Sequence, residues 1–314
     1  MTIEKEKSTR VRLILAILIG LGSALLPGAV SAQAQTHVTT CGQTLDMAGE
    51  YVLMNDLNCT ATGDFDGVRI TASNVTFHLA GHTISSPVCD LSRNITGIFV
   101  VGGITNVRID GGNVSGFNDG IQLSASNSTV KGMKVSGACA SGIGVQGANN
   151  RVEKNTASGN VDGVLLVNAV NSFVRCNYLS GNTRGATLSG STTSSVVEDN
   201  IISDNDAFGV AVVSGSGNIV RDNAVNDNQN GIYINSANNR VLDNIVSRSS
   251  DVGISVTNSG SPSIMRRNTV YRSGNVDMTD DSANCGGNIW RNNDFVTDLV
   301  AGVSDGGPGA GCIR

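Results

Sequence analysis

The chain has 314 residues, of which 15% are charged and 4% aromatic, with 39 glycines and only 4 prolines. This composition excludes proline-driven disorder, a collagen helix and a long charge-laced helix. The formal net charge of −5, with no basic patch standing out in the sequence, argues against a nucleic-acid partner.

Residues 1–32 have the three-part pattern of a secretory signal peptide. Four basic residues lie between positions 5 and 12, residues 13–25 are almost wholly apolar, and a small-residue motif ends at Ala32. The apolar run is shorter than the ~20 residues of a bilayer span, which disfavours an uncleaved membrane anchor. We expect cleavage after Ala32, with Ala34 as the other option. This predicts a secreted or periplasmic protein of net charge −7 with no membrane span after cleavage.

The seven cysteines indicate disulfides, which an oxidising compartment permits. Cys41 and Cys59 bracket a segment near the mature N-terminus, and Cys285 and Cys312 bracket the C-terminal segment. Bridges within these two pairs would staple both ends of the molecule. Zinc is the weaker alternative, because no C-x-x-C motif is present and the chain has only three histidines. The sequence leaves open the pairing of Cys89, Cys139 and Cys176, of which an odd number must be free or intermolecular.

A glycine-led block of alternating apolar residues recurs every 21 to 24 residues. The glycines are Gly120, Gly142, Gly163, Gly185, Gly209, Gly231 and Gly253. The residue after each glycine defines one predicted interior column: Ile121, Ile143, Val164, Ala186, Val210, Ile232 and Ile254. The residue two positions further on defines a second: Leu123, Val145, Leu166, Leu188, Val212, Ile234 and Val256.

Asparagine occupies a further column upstream of these blocks, in the pattern V-x-x-N-x-apolar. Its members are Asn155, Asn177, Asn200, Asn223, Asn244 and Asn268. A second asparagine column comprises Asn160, Asn182, Asn205 and Asn228. Asparagine tolerates left-handed turns, and stacked side-chain amides can hydrogen-bond from coil to coil. We therefore predict a structural asparagine ladder rather than a catalytic row.

A repeat of about 22 residues is too short for two helices, and it suits a coil of three short strands stacked at about 4.8 Å. A leucine-rich repeat and a calcium-binding nonapeptide roll are disfavoured, because their motifs are missing. The predicted fold is all-β, a parallel β-helix of about ten coils. Residues 33–103 would form the N-terminal cap and first coils, 104–283 the repeats and 284–314 the C-terminal cap.

The repeats resemble those of right-handed parallel β-helix proteins with the pectin-lyase-like fold, including periplasmic NosD-like proteins. The opening coils carry this resemblance in residues 41–44 (CGQT), 51–53 (YVL), 56–59 (DLNC) and 74–84 (NVTFHLAGHTI). The closing segment is similar in Cys285, Trp290, Asn292, Phe295 and Cys312. The resemblance implies the right-handed fold and a carbohydrate-associated role, but this fold hosts many activities.

The outward column of the glycine blocks bears no charge until the C-terminal end, where carboxylates cluster. Asp277, Asp280 and Asp281 are the predicted catalytic residues, since paired carboxylates can perform acid–base chemistry. Tyr233 and Arg291 are the predicted substrate-binding residues. The alternative is a charged cap that prevents end-to-end stacking.

Other polar or aromatic positions are weaker candidates for a site. Asp119, Asp162 and Arg184 occupy equivalent positions, where a surface ion pair is the simpler interpretation. His82 is interpreted as structural, and Trp290 as part of the C-terminal cap. Exposed aromatic residues could stack on sugar rings, and the candidates are Tyr178, Phe208, Tyr233 and Tyr271.

The predicted function is that of a secreted or periplasmic carbohydrate-associated protein that binds or processes polysaccharide. If it is an enzyme, it would be a polysaccharide hydrolase or lyase. The alternative is a non-enzymatic envelope or extracellular scaffold, or an adhesin-like binding protein. No cofactor, metal or nucleic acid is expected. The partner is a polysaccharide or a cell-envelope component, and the oligomeric state is open.

Overall fold

The structure is a computed structural model that describes residues 35–60, 63–87, 89–257, 262–304, 306–308 and 310–314. The predicted signal peptide lies outside these residues. Each 22-residue repeat forms three short strands, because turns interrupt every apolar alternation after a few residues. All strand pairs between successive repeats are parallel, so the chain winds as a β-helix.

Three parallel sheets of 12, 10 and 12 strands form the walls of about eleven turns, against the ten expected. Sheet 1 contains β1 (Thr36–Val38), β3 (Gly49–Leu53), β6 (Val75–His78), β9 (Arg108–Asp110), β12 (Thr129–Lys131), β15 (Arg151–Glu153), β18 (Phe173–Arg175), β21 (Val196–Glu198), β24 (Ile219–Arg221), β27 (Arg240–Leu242), β30 (Ile264–Arg266) and β33 (Ile289–Arg291).

Sheet 2 follows sheet 1 within each turn. It contains β4 (Leu57–Asn58), β7 (Thr83–Ser85), β10 (Asn113–Ser115), β13 (Lys134–Ser136), β16 (Thr156–Ser158), β19 (Tyr178–Ser180), β22 (Ile201–Ser203), β25 (Ala224–Asn226), β28 (Ile245–Ser247) and β31 (Thr269–Tyr271).

Sheet 3 completes each turn and carries the glycine blocks. It contains β2 (Gln43–Leu45), β5 (Phe65–Ile70), β8 (Ile95–Val100), β11 (Asp119–Leu123), β14 (Ser141–Ala148), β17 (Asp162–Val170), β20 (Arg184–Ser189), β23 (Phe208–Val212), β26 (Asn230–Ile234), β29 (Val252–Val256), β32 (Val276–Asp280) and β34 (Asp298–Val300).

The register of sheet 3 confirms both predicted interior columns. Ile121 pairs with Ile143, Leu123 pairs with Val145, and the same alignment continues through Val256. These residues are at most 1% exposed. The glycine before each block is required by close packing between coils. A Cβ on Gly185 would lie 2.5 Å from both the Gly209 carbonyl oxygen and the Ile202 side chain.

Both predicted asparagine ladders are present. In the first, each side-chain amide donates to the side-chain oxygen of the next coil, at 2.9–3.0 Å from Asn155 to Asn268. In the second, the corresponding distances are 2.8–3.1 Å. The left-handed backbone conformation is adopted not by the asparagines of the first ladder but by the residue before each of them, such as Asp199 with φ 55°. The asparagine itself is buried, so its role is hydrogen bonding between coils rather than the left-handed turn.

Disulfides close both ends of the β-helix, as predicted. The Cα atoms lie 5.7 Å apart in Cys41–Cys59 and 6.1 Å apart in Cys285–Cys312. A third bridge, Cys89–Cys139, was left open by the sequence, and Cys176 is free and exposed. Three bridges fit an oxidising compartment.

The C-terminal segment folds over the last turns. A 3₁₀ helix, Ala283–Gly287, precedes β33, and Trp290 is only 2% exposed, as expected of a cap residue. Across the described ranges, no helix is long and apolar enough to cross a membrane.

Candidate functional site

The outward face of sheet 3 carries polar and aromatic residues along one column. Its central column is fixed by the register and differs from expectation at the end, because Ser255 pairs with Thr279 rather than with an aspartate. The column runs Arg69, Phe99, Gln122, Gly144, Leu165, Thr187, Ala211, Tyr233, Ser255, Thr279 and Leu299.

Asp277 does not face outward, and that expectation is wrong. It stands opposite Gly253 in the glycine column and is only 3% exposed. Its carboxylate accepts main-chain N–H groups from Ser273 at 3.2 Å, Val296 at 3.0 Å and Thr297 at 3.2 Å. These bonds tie the last repeat to the segment that closes it.

Asp280 faces the interior, in the column of Val256, and is 0% exposed. Its carboxylate accepts the Asn288 amide at 3.0 Å, the Trp290 indole N–H at 2.9 Å and the Ser282 main-chain N–H at 3.0 Å. A carboxylate held by three donors stabilises the cap. Both buried aspartates thus hold the C-terminal cap together through hydrogen bonds, and a catalytic role for them stays a prediction.

The remaining members of the predicted site lie on different surfaces. Asp281 is exposed beyond the end of β32. Tyr233 lies in β26 on the outward face of sheet 3, whereas Arg291 lies in β33 on sheet 1. The structure therefore does not gather Tyr233 and Arg291 around the aspartates, because the triangular cross-section separates the two sheets.

An aromatic pair marks the centre of the sheet 3 face. The rings of Phe208 and Tyr233 stack with centroids 4.9 Å apart and planes inclined by 28°. Both side chains are half-buried. The hydroxyls of Tyr233 and Thr257 form a hydrogen bond of 3.2 Å, which fixes the polar edge of the ring. Sequence reasoning named both residues, but not their contact, because Phe208 lies outside the central column.

An ion pair lies directly beside the aromatic pair. Arg184 precedes Phe208 by one coil in the same column and binds Asp162 through two bonds of 2.7 Å. Thr187 donates its hydroxyl to the same carboxylate at 2.5 Å. The predicted pairing is confirmed, but Asp162 is 3% exposed, so the pair is more buried than a surface salt bridge.

Two further polar groups lie on this face: Asp119, which the sequence analysis named, and the Arg69–Asp66 pair, which it did not. Asp119 accepts the hydroxyl and main-chain N–H of Ser141 on the next coil. Arg69 binds Asp66 at 2.7 Å and lies 4.7 Å from the centre of the Phe99 ring. Burial raises the pKa of the Asp66 carboxyl, and the Arg69 charge offsets part of that effect. The register between coils brings Asp119 to Ser141 and Arg69 to Phe99, whereas Asp66 and Arg69 lie on one strand.

The histidines pair with carboxylates on other surfaces. His78 contacts Asp110 at 2.7 Å in sheet 1, and His82 contacts Asp56 at 3.2 Å. The hydrogen bond that the Thr83 main-chain N–H donates to Asp56, reinforced by His82, lowers the pKa of that carboxyl. Within the part of the chain that the structure describes, no group of three histidine, cysteine or acidic residues could hold a metal ion.

Solved structures of similar fold include a tailspike protein, an epimerase module and a surface adhesin. The chain aligns with the Dettilon tailspike protein gp208 at a TM-score of 0.71 and 17% identity, covering 85% of this chain and 61% of that one. It aligns with the A-module of the Azotobacter vinelandii mannuronan C-5 epimerase AlgE6 at 0.63 and 16%, covering 81% and 78%. The surface adhesin PfbA of Streptococcus pneumoniae aligns at 0.54 and 14%, covering 79% and 84%.

These identities establish a shared fold only, and the chain spans less than two thirds of the tailspike protein. No curated protein sequence matches the chain. A family model described as the right handed beta helix region matches residues 47–201 and 119–272, which together cover most of the chain. With its parallel coils and interior columns in register, the chain belongs to the right-handed β-helix family.

Proposed function

We propose that the protein is an exported carbohydrate-binding β-helix whose sugar site is the sheet 3 face around Phe208 and Tyr233. The observation that carries this proposal is the stacked, half-buried aromatic pair on an outward sheet face. Aromatic rings with one polar edge suit surfaces that contact both apolar and hydrated groups. A sugar ring has both characters, with C–H groups on its faces and hydroxyls at its rim.

Polar groups around the pair would bind the hydroxyls. Arg184 lies one coil before Phe208, and Asn230 lies one coil after it in the same column. Thr257 supplies a hydroxyl beside Tyr233. Arg184 and Asn230 lie on either side of Phe208, each about 4.8 Å away along the stack, and together with Thr257 they offer donors and acceptors on both sides of the rings.

Export and a carbohydrate target have separate support. The three disulfides favour a secreted or periplasmic location, reached through the signal peptide predicted at residues 1–32. Carbohydrate as the target class is supported by neighbours of the same fold whose names specify a mannuronan epimerase and an alginate lyase.

The test is a binding screen of the mature protein against a polysaccharide panel, followed by variants on the best ligand. Tyr233→Ala and Phe208→Ala should each weaken binding at least ~5-fold, since stacking on aromatic rings contributes ~1 kcal/mol or more. Tyr178→Ala is the matched control, because Tyr178 is an aromatic residue of sheet 2 that is 43% exposed. Equal affinity of all three variants would place the site elsewhere.

A non-enzymatic scaffold or adhesin-like role is the second candidate. It is favoured by the burial of Asp277 and Asp280, whose carboxylates are occupied by cap hydrogen bonds. A hydrolase or lyase using Asp277, Asp280 and Asp281 remains the enzymatic version of the proposal. Mass spectrometry of the bound polysaccharide separates the two, because only an enzyme would release shortened or unsaturated products.

A further inference from the structure

A ladder of alternating charge runs along the outward surface of sheet 1. It is formed by the last residue of each strand from β6 to β33, which stack in register from coil to coil. In order, the residues are His78, Asp110, Lys131, Glu153, Arg175, Glu198, Arg221, Leu242, Arg266 and Arg291.

The first part of this charge ladder is internally paired. Glu153 contacts Lys131 at 3.6 Å on one side and Arg175 at 2.7 Å on the other. Glu198 pairs with Arg221 on the following coil. The Arg175 guanidinium holds the pKa of the Glu153 carboxyl below its usual range. Opposite charges on adjacent strands stabilise a sheet, so alternation is the arrangement expected of a column that needs no ligand.

The alternation ends at Leu242, after which the sign repeats. Arg266 and Arg291 are exposed and stand directly opposite each other on neighbouring strands, about 4.8 Å apart. Like charges in that position repel each other. Among the residues that the structure describes, neither arginine forms an ion pair. Asp243 lies near Arg266, whose charge helps to lower the pKa of the Asp243 carboxyl. That carboxylate, however, forms its ion pair with Arg267, at 2.6 Å.

A surface cavity of about 500 Å³ adjoins Arg291. It is lined by Arg291, Asn292, Asn293 and Arg314. The Asn293 amide donates to the main-chain oxygen of Arg314 at 3.1 Å, which holds the last residue of the chain beside the cavity. Arg314 thus lines the same cavity as Arg291, one of the two arginines of the repeated pair.

We propose that Arg266, Arg291 and Arg314 form a binding site for a phosphate ester group. The anion would supply the negative charge that Glu198 supplies between Arg175 and Arg221 earlier in the charge ladder. One guanidinium can donate two parallel N–H···O hydrogen bonds to a phosphate group. Two arginines on adjacent strands can therefore bind different oxygens of the same tetrahedral anion. The site lies on sheet 1, so it does not depend on the sugar site proposed for sheet 3.

The first experiment titrates the mature protein with inorganic phosphate at constant ionic strength, using calorimetry and thermal unfolding. Wild type should bind phosphate and unfold at a higher temperature than in the matched chloride buffer. Arg266→Glu should weaken phosphate binding at least ~10-fold. Without phosphate, it should raise Tm by about 1–2 °C, because alternation is restored beside Arg291.

Arg240→Gln is the matched control, since Arg240 is an exposed arginine of sheet 1 outside this column. It should keep the affinity of wild type. Arg291→Gln should lose phosphate binding without creating a new ion pair. Equal phosphate affinity in wild type, Arg266→Glu and Arg291→Gln would overturn the proposal, as would a loss of the same size in Arg240→Gln.

A second measurement distinguishes two sources of the phosphate ester, a lipid headgroup and a soluble polymer. Wild type and Arg266→Glu are compared on vesicles containing phosphatidylglycerol and on a soluble glycerol-phosphate oligomer. Binding by wild type alone to either one supports the site and identifies its source. If wild type bound neither the vesicles nor the oligomer, the assignment to phosphate esters would be overturned. A result on these probes leaves the sugar-binding test of Phe208 and Tyr233 unaffected.

Discussion

Asn200→Leu tests whether the asparagine ladder holds the coils together. The Asn200 side chain is 1% exposed and lies in the middle of the first ladder. Its oxygen accepts the main-chain N–H and the side-chain amide of Asn177, at 2.9 and 3.0 Å. Its amide donates to the Val174 carbonyl and to the Asn223 side-chain oxygen, both at 2.9 Å. Leucine has nearly the same size but can make none of these four bonds.

The expected loss follows from those four contacts. At about 1 kcal/mol of net stabilisation per bond, their removal costs about 4 kcal/mol. Burial of the extra apolar surface of leucine returns about 1–2 kcal/mol. The free energy of unfolding should therefore fall by about 2–3 kcal/mol. The Asn177 main-chain N–H would be left in the interior without its acceptor.

Equilibrium urea unfolding of the disulfide-intact protein measures this difference. Asn235→Leu is the control, because Asn235 is exposed and its side chain accepts one bond, from the Thr257 hydroxyl at 3.0 Å. The control should change stability by less than about 0.5 kcal/mol. Hydrogen exchange should also show a faster amide at Asn177 in the ladder variant alone. An Asn200→Leu midpoint equal to that of the control would refute the ladder as a source of stability.

Three further predictions concern charge, thiols and the cap. Arg175 lowers the folded pKa of Glu153, so this pair stabilises the protein above the unfolded pKa and loses its effect as pH falls below about 4. Glu153→Gln should therefore lower the urea midpoint at pH 7, and the gap from wild type should narrow as pH falls below about 4 and close once Glu153 is protonated in the folded protein as well. Non-reducing peptide mapping should find Cys176 as the free thiol, and a reagent that labels other cysteines in the native protein would contradict the pairing. Asp280→Asn should lower stability by about 1–3 kcal/mol, because in either orientation its new amide faces an N–H donor, that of Ser282 or those of Asn288 and Trp290, while Asp281→Asn should not. A stable Asp280→Asn variant that lost a measured activity would restore the catalytic assignment.

The interior of the β-helix could be predicted from the sequence, because a solenoid repeats each interior environment at a fixed period. The columns through Ile143 and Asn177 had to recur every coil, and the residues that satisfy packing and hydrogen bonding recur with them. The terminal disulfides followed from their positions at the ends of the repeat. The pairing of Cys89 with Cys139 did not, because 50 residues separate them and no local pattern marks the contact.

The end of the stack could not be predicted, because it breaks the period. Counting residues from Ser255 suggested that Asp277 would face outward, but the loop before β32 places Thr279 in that column. A shift of two residues keeps the alternation of faces, but it moves Asp277 into the buried glycine column and Asp280 into the inward column of Val256. Asp280 consequently enters the core, where the Trp290 indole and the Asn288 amide compensate its burial.

Function in this fold depends on outward positions, and those are the positions that stacking leaves unconstrained. An interior residue such as Ile143 contacts both neighbouring coils, so its identity is restricted by packing. Tyr233 and Arg291 face solvent on different sheets, so neither the period nor the core selects them. Departures from a column's own pattern are therefore the most informative outward features. The aromatic stack in sheet 3 and the repeated arginine in sheet 1 are two such departures. On each of these surfaces a ligand would supply a contact that the neighbouring coils do not, a sugar face on the rings and a negative charge between the arginines.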